Sequence, residues 1–147
     1  MTPKPDLNEA ARQVREIYTE WQRRPLERRC TGQADCCRFR LTGRTPYLTR
    51  GEAWVAARAW RAAGRKDFAD SADGSCPFLH PQSGQCRIYD GRPFGCRTYF
   101  CAAAGGPAAR RDVRDLIQRL EAIDTRLGGR GAINLPAAVR AALGWRV

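Results

Sequence analysis

Seven cysteines lie in the middle of this chain: Cys30, the adjacent pair Cys36–Cys37, then Cys76, Cys86, Cys96 and Cys101. They sit in the phrases CPFLH (76–80), CRIYDGRP (86–93) and CRTYFC (96–101). Thiolates drawn from several loops into one small region are the usual ligands of zinc or iron–sulfur centres. The spacing runs Cys-x5-Cys-Cys, a gap of 38 residues, then Cys-x9-Cys-x9-Cys-x4-Cys. It contains neither the Cys-x2-Cys of a zinc finger nor a ferredoxin run, so the pattern points to metal without selecting the metal. Four thiolates suffice for tetrahedral zinc or for one four-iron cluster. Seven exceed both, which implies spare cysteines or two centres. Adjacent sulfurs serve a cluster well, because each can take a different iron, whereas they crowd a single ion. That tilts the reading toward a 4Fe–4S cluster over zinc.

The compartment governs how such cysteines are read. The N-terminus, MTPKPDLNEAARQVREIY, has no apolar core of a secretory signal. The least polar stretch, 100–109, is half the length of a membrane span. The expectation is therefore a cytoplasmic protein with no membrane partner, where lasting disulfides are rare and clustered thiols serve metal or catalysis. An odd number of cysteines argues the same way.

Net charge is +11, and of 26 basic residues only Lys4 and Lys66 are lysines. A surplus of this size can attract polyanions. The arginines are scattered over the whole chain, as a compositional bias would produce, and this argues against a nucleic-acid-binding zinc module. Arg29, Arg38, Arg87 and Arg97 directly flank cysteines, little more than chance predicts at this arginine content. His80, the only histidine, is a possible additional ligand four residues after Cys76. Asp35 and Asp90 are the carboxylates inside the cysteine motifs, with Asp35 the one an enzyme reading would test.

The elements that must position these residues are mostly helical. Asp6 with Glu9 has capping-box spacing, and Leu7, Ala10, Val14, Ile17 or Tyr18, and Trp21 form an apolar stripe ended by Pro25. Thr49 with Glu52 starts a second helix that runs to Gly64 and buries Trp54, Ala57 and Trp60, with Ala53 and Ala56. Val113, Leu116, Ile117, Leu120, Ile123 and Leu127 mark a third from about 108 to 127, closed by Gly128-Gly129. Asn134 and Pro136 open a last one over 135–143. Residues 26–48 read as irregular, and Cys86-Arg-Ile-Tyr89 as a short strand before an Asp90-Gly91 turn. Arg92-Pro93 and Gly95 set the turn that delivers Cys96, while Phe78, Tyr89 and Phe94 are expected to wall the site from water. The expected fold is mainly α with little strand: one small domain over 1–147, a loop-rich cysteine centre at 30–101, and flanking helices at about 7–24 and 108–143.

The order of these blocks resembles a known family. Cys-x5-Cys-Cys, the Leu48-Thr49 helix start, CPFL, C-x-IY-x-x-RP and CR-x-Y are similar to the YkgJ-like bacterial cysteine-cluster proteins, a zinc- or iron-chelating domain of the CxxCxxCC type. The resemblance covers about residues 30–101. It implies Cys30, Cys36, Cys37, Cys76, Cys86 and Cys96 as metal ligands, with Cys101 an added cofactor-binding candidate and Arg92, Pro93 and Arg97 as accompanying residues. The name implies closer spacing at the first block than the Cys-x5-Cys-Cys found here. The domain also resembles the cysteine-rich part of flagellin lysine methylases, but no S-adenosylmethionine site is recognisable in this chain. The function expected is a metal-binding protein holding an iron–sulfur cluster or zinc, serving electron transfer or a partner enzyme. The alternative is a metal- or thiol-dependent enzyme.

Overall fold

A computed structural model describes residues 6–24, 45–65, 67–70, 74–80, 82–83, 85–98 and 109–145. Cys30, Cys36, Cys37 and Cys101, together with Asp35, Arg29 and Arg38, lie outside them. In chain order the elements are α1 (Leu7–Arg23), β1 (Tyr47–Leu48), α2 (Arg50–Ala62), a 3-10 turn (Tyr89–Gly91), α3 (Phe94–Thr98), α4 (Arg110–Arg126), β2 (Ile133–Asn134) and α5 (Leu135–Leu143). The mainly helical expectation holds. No helix among the described residues is long and apolar enough to cross a membrane.

The helix starts follow their caps. Asp6 Oδ1 accepts from Glu9 N at 3.1 Å, and Asn134 Oδ1 accepts from Ala137 N at 3.0 Å. Glu52 Oε2 reaches back to accept from Thr49 N at 2.9 Å, as a capping box requires. At the other end of α2, Gly64 turns the chain with φ +81, a conformation only glycine adopts without cost.

α2 is the central element. Every residue from Gly51 to Ala57 is buried, the mark of a helix enclosed on all sides. One side packs with Val14, Ile17, Tyr18 and Trp21 of α1 and with Leu116, Leu120 and Ile123 of α4. The other carries Ala53, Ala56, Ala57 and Trp60 against Leu135, Ala138 and Val139 of α5, and against Cys76, Phe78 and Ile88. Small residues allow this double contact. A Cβ on Gly51 would lie 2.8 Å from Val14 Cγ2 and 3.0 Å from Ile123 Cγ2, so α1, α2 and α4 meet there.

Two features depart from expectation. β1 pairs antiparallel with β2, Tyr47 opposite Asn134 and Leu48 opposite Ile133, inside a stretch expected to be irregular. The strand expected at 86–89 is absent. Cys86 makes a single bridge with Leu79, and Tyr89 enters the 3-10 turn. The run is too short to carry a ladder, and Arg92 stacks on Tyr89 with its guanidinium carbon 3.8 Å from the ring centroid.

Candidate metal centre

The CPFLH and CRIY phrases fold into one small hairpin. Leu79 N donates to Cys76 O at 3.0 Å, His80 N to Gln85 O at 2.8 Å and Arg87 N to Phe78 O at 2.8 Å. These bonds place Cys76 and Cys86 in one apolar cluster on the α2–α5 side of the core. Cys76 is buried, Cys86 half-buried. Three aromatic rings back the hairpin: Phe78 lies 5.4 Å from Trp60 and 4.9 Å from Phe68, centroid to centroid. Arg87 projects over the Trp60 ring at 5.8 Å, and its Nε is buried without a hydrogen-bond partner.

Cys96 is delivered differently. Pro93 O accepts from Cys96 N at 3.1 Å and from Arg97 N at 3.2 Å, so the Arg92-Pro93 turn opens α3 as expected. α3 is then tied to two distant helices. Phe94 N donates to Glu52 Oε1 of α2 at 2.8 Å, Trp21 Nε1 of α1 donates to Arg97 O at 3.4 Å, and Phe94 meets Trp21 edge-on at 5.8 Å. Phe94 thus packs in the α1–α2–α4 cluster and Phe78 in the other, while Tyr89 is 52% exposed. The expected wall of Phe78, Tyr89 and Phe94 around one site is corrected on this point: Tyr89 cannot exclude water.

The charged neighbours are mostly consumed by the backbone. Arg97 Nε donates to Arg92 O at 2.7 Å and its Nη2 to Asp90 O, while the guanidinium lies over the Tyr18 ring at 4.0 Å. Burial lowers its pKa from the ordinary arginine value. Burial, chiefly, also raises the Tyr18 phenol well above its ordinary value, with the Glu52 charge adding to the effect. Glu52 itself is raised by burial despite the donors that hold its carboxylate. Asp124, on α4, accepts from Arg50 N at 2.8 Å and Gly131 N at 3.0 Å. His80 Nδ1 accepts from Gln82 N and Ser83 N, both at 3.1 Å, so this ring nitrogen closes its own turn.

These uses decide which donors suit a metal. The oxygens of Glu52 and Asp124 and one nitrogen of His80 are committed to N–H groups, while Cys76, Cys86 and Cys96 supply sulfur. Sulfur donors suit zinc and iron–sulfur clusters and are poor for magnesium or calcium. Among the described residues no three His, Cys, Asp or Glu side chains come together around a single point. Cys76 and Cys86 share a hairpin, and Cys96 stands on α3.

Residues 29–121 match the CxxCxxCC sequence family, described as "Putative zinc- or iron-chelating domain". That span exceeds half of the chain and contains all seven cysteines. The chain belongs to this family. No curated protein and no solved structure matches it significantly.

The pattern in the family's name spans eight positions, as Cys30 to Cys37 does here, and the position of its second cysteine is Gln33 in this chain. Two residues beside the site escaped the sequence reading. Glu52 shows only as a helix cap, yet it reaches α3. Tyr18 shows only as part of a core stripe. The available signal was its hydroxyl, a polar atom on an otherwise apolar face.

Proposed function

We propose that this CxxCxxCC protein binds its metal through thiolates drawn from Cys30, Cys36, Cys37, Cys76, Cys86 and Cys96, with Cys101 as a further candidate, and that the centre is a 4Fe–4S cluster. The family match, which encloses every cysteine, carries this reading. The seven cysteines support it, and the adjacent Cys36–Cys37 pair favours a cluster over one zinc ion. When bound, a cluster supplies a one-electron redox centre. The protein's own residues then hold the sulfurs and keep water away. The hairpin sets Cys76 and Cys86 against Trp60, Phe68 and Phe78, and the Pro93 turn sets Cys96. The function is electron transfer or service to a partner enzyme in the cytoplasm.

Metal and sulfide analysis with a visible spectrum, on protein purified without oxygen, tests this. Several irons per chain with matching sulfide supports the cluster. One zinc and no colour replaces it with a zinc site of the same family type. Metal content unchanged in each of Cys36→Ser, Cys76→Ser, Cys86→Ser and Cys96→Ser would sink the thiolate assignment altogether. If the protein is instead an enzyme, its metal should carry an exchangeable water, which ligand-exchange spectroscopy would detect.

A further inference from the structure

A cavity of about 310 Å³ lies where the β1–β2 pair, α2, α5 and the turn at 128–131 meet. Its size is at the small end of the range that ligand pockets occupy, about 300–1,000 Å³. Leu48, Ala53 and Ala138, all buried, give it an apolar floor. Ile133 stands directly across the strands from Leu48, on the same face of the pair, and is 48% exposed. It extends the apolar lining out into solvent. The walls are fixed: Trp145 stacks on Trp54 at 6.3 Å with 29° between the rings, and Gly131 N donates to Asp124 Oδ2 at 3.0 Å, which holds the turn. The charge is one-sided. Arg50 and Arg130 line the cavity, and among the described residues no acidic side chain does. Asp124 is buried and is not part of the lining; its oxygens accept from Arg50 N and Gly131 N. Arg50 is already held at two points. Its Nη1 donates to Leu127 O at 3.0 Å, and its guanidinium carbon lies 5.7 Å from the Trp145 ring centroid. Its Nε and Nη2 make no hydrogen bond among the described residues. These two form one edge of the planar group, the edge that can grip a carboxylate through two parallel bonds.

We propose that this cavity binds a small free carboxylic acid with an apolar body. The body fills the space between Leu48, Ile133 and Trp145. The carboxylate lies on the Nε–Nη2 edge of Arg50, with Arg130 as a second positive charge. Such a ligand uses both halves of the lining, whereas a bare anion such as phosphate would leave the apolar floor in water. Ordering a long side chain at the moment of binding costs affinity. Arg50 is spared most of that cost, because Leu127 O and the Trp145 ring hold it before any ligand arrives. The inference is independent of the metal reading, since among the described residues no cysteine lines the cavity.

The test is titration calorimetry of the full chain with hydrocinnamate, a phenyl ring on a short chain ending in a carboxylate. It should bind saturably, one per chain. Its amide, which keeps the body and loses the charge, and acetate, which keeps the charge and loses the body, should each bind at least about tenfold more weakly. Arg50→Gln should weaken hydrocinnamate about 10- to 100-fold, the usual effect of losing hydrogen bonds to a charged group. Arg50 also ties α2 to the turn at 128–131, so a second variant is needed that leaves this tie intact. Ala141 is exposed and lines the cavity. Ala141→Leu fills part of the space and should abolish binding without lowering the melting temperature. No saturable binding to wild type would overturn the proposal. So would an amide that binds as well as the acid, or full affinity in Ala141→Leu, which would place the ligand elsewhere. A pentapeptide ending in phenylalanine that binds where hydrocinnamate does not would also overturn it, making the cavity a dock for a protein's C-terminal carboxylate. Metal content should be the same in wild type and both variants, so failure here leaves the thiolate reading standing.

Discussion

Glu52 is the residue whose removal tests the architecture most directly. Its side chain is 3% exposed, and its two oxygens accept from Thr49 N and Thr49 Oγ1 at 2.9 Å and from Phe94 N at 2.8 Å. It therefore caps α2 and anchors the helix that carries Cys96. Glu52→Ala leaves two backbone N–H groups inside the protein with no acceptor. Each such orphan costs about 1–3 kcal/mol, hence about 2–6 kcal/mol for the pair. Part of this is returned because a buried carboxylate no longer has to be accommodated, so the net loss should be at least about 2 kcal/mol. That is a large fraction of the roughly 5–15 kcal/mol typical of a domain. Urea unfolding followed by circular dichroism would read it as a lower midpoint at unchanged slope. Glu52→Gln keeps the shape and strands a single donor, so its loss should be smaller, about 1–3 kcal/mol. Glu52→Ala within about 0.5 kcal/mol of wild type, the range of an uninvolved surface position, would refute the reasoning. The pH dependence has a definite sign. Burial raises the folded pKa of Glu52 above 4.5, so the native state binds this proton more tightly than the unfolded chain does. The stability gained from that proton is complete below pH 4.5 and is lost as pH rises through the raised value. The advantage of wild type over Glu52→Gln should therefore shrink from acid toward neutral pH.

Gly51→Ala should lower the melting temperature: the new methyl meets Val14 and Ile123 at 2.8 and 3.0 Å, overpacking costs about 1–3 kcal/mol, and helix propensity returns about 1 kcal/mol at most. Gly129→Ala should cost a similar amount, about 1–3 kcal/mol, because its methyl would overlap the Asp124 carboxylate that caps Arg50 and Gly131; calorimetry measures both. Arg24 bridges to Asp115 at 2.6 Å and donates to Asp112 O at 2.8 Å, joining α1 to α4. A double-mutant cycle on Arg24 and Asp115 should give a coupling of about 0.2–1 kcal/mol that fades in high salt. Cys96→Ser, at a half-buried position, should leave metal-free stability nearly unchanged while lowering metal content. Cys76→Ser should lower both, because its hydroxyl enters the apolar cluster of Trp60 and Phe78.

Much of the secondary structure is legible residue by residue. Asp6, Thr49 with Glu52, and Asn134 announce the starts of α1, α2 and α5, and the stripe from Val113 to Leu127 announces α4, which runs over Arg110–Arg126. The 86–89 segment fails the same reading because its alternation is too brief to distinguish a strand from a turn held by Arg92. The candidate site is legible as a list of thiols and illegible as a shape: that Cys76 and Cys86 share a hairpin follows from three hydrogen bonds that leave no periodic mark.

The sequence alone determines what is local and what is chemical. Caps and stripes act within a few residues, so α1, α2, α4 and α5 can be read without the rest of the chain, and the soft donor type is written in the cysteines themselves. The tertiary structure decides what depends on distant segments meeting. The β1–β2 pair joins residues near 47 to residues near 134; Glu52 reaches Phe94 only because α2 lies against α3; and Arg97 comes to lie over the Tyr18 ring only because Trp21 and Phe94 bring α3 onto α1. Such contacts arise from shape and burial summed over the whole core, and no short window of sequence contains both partners.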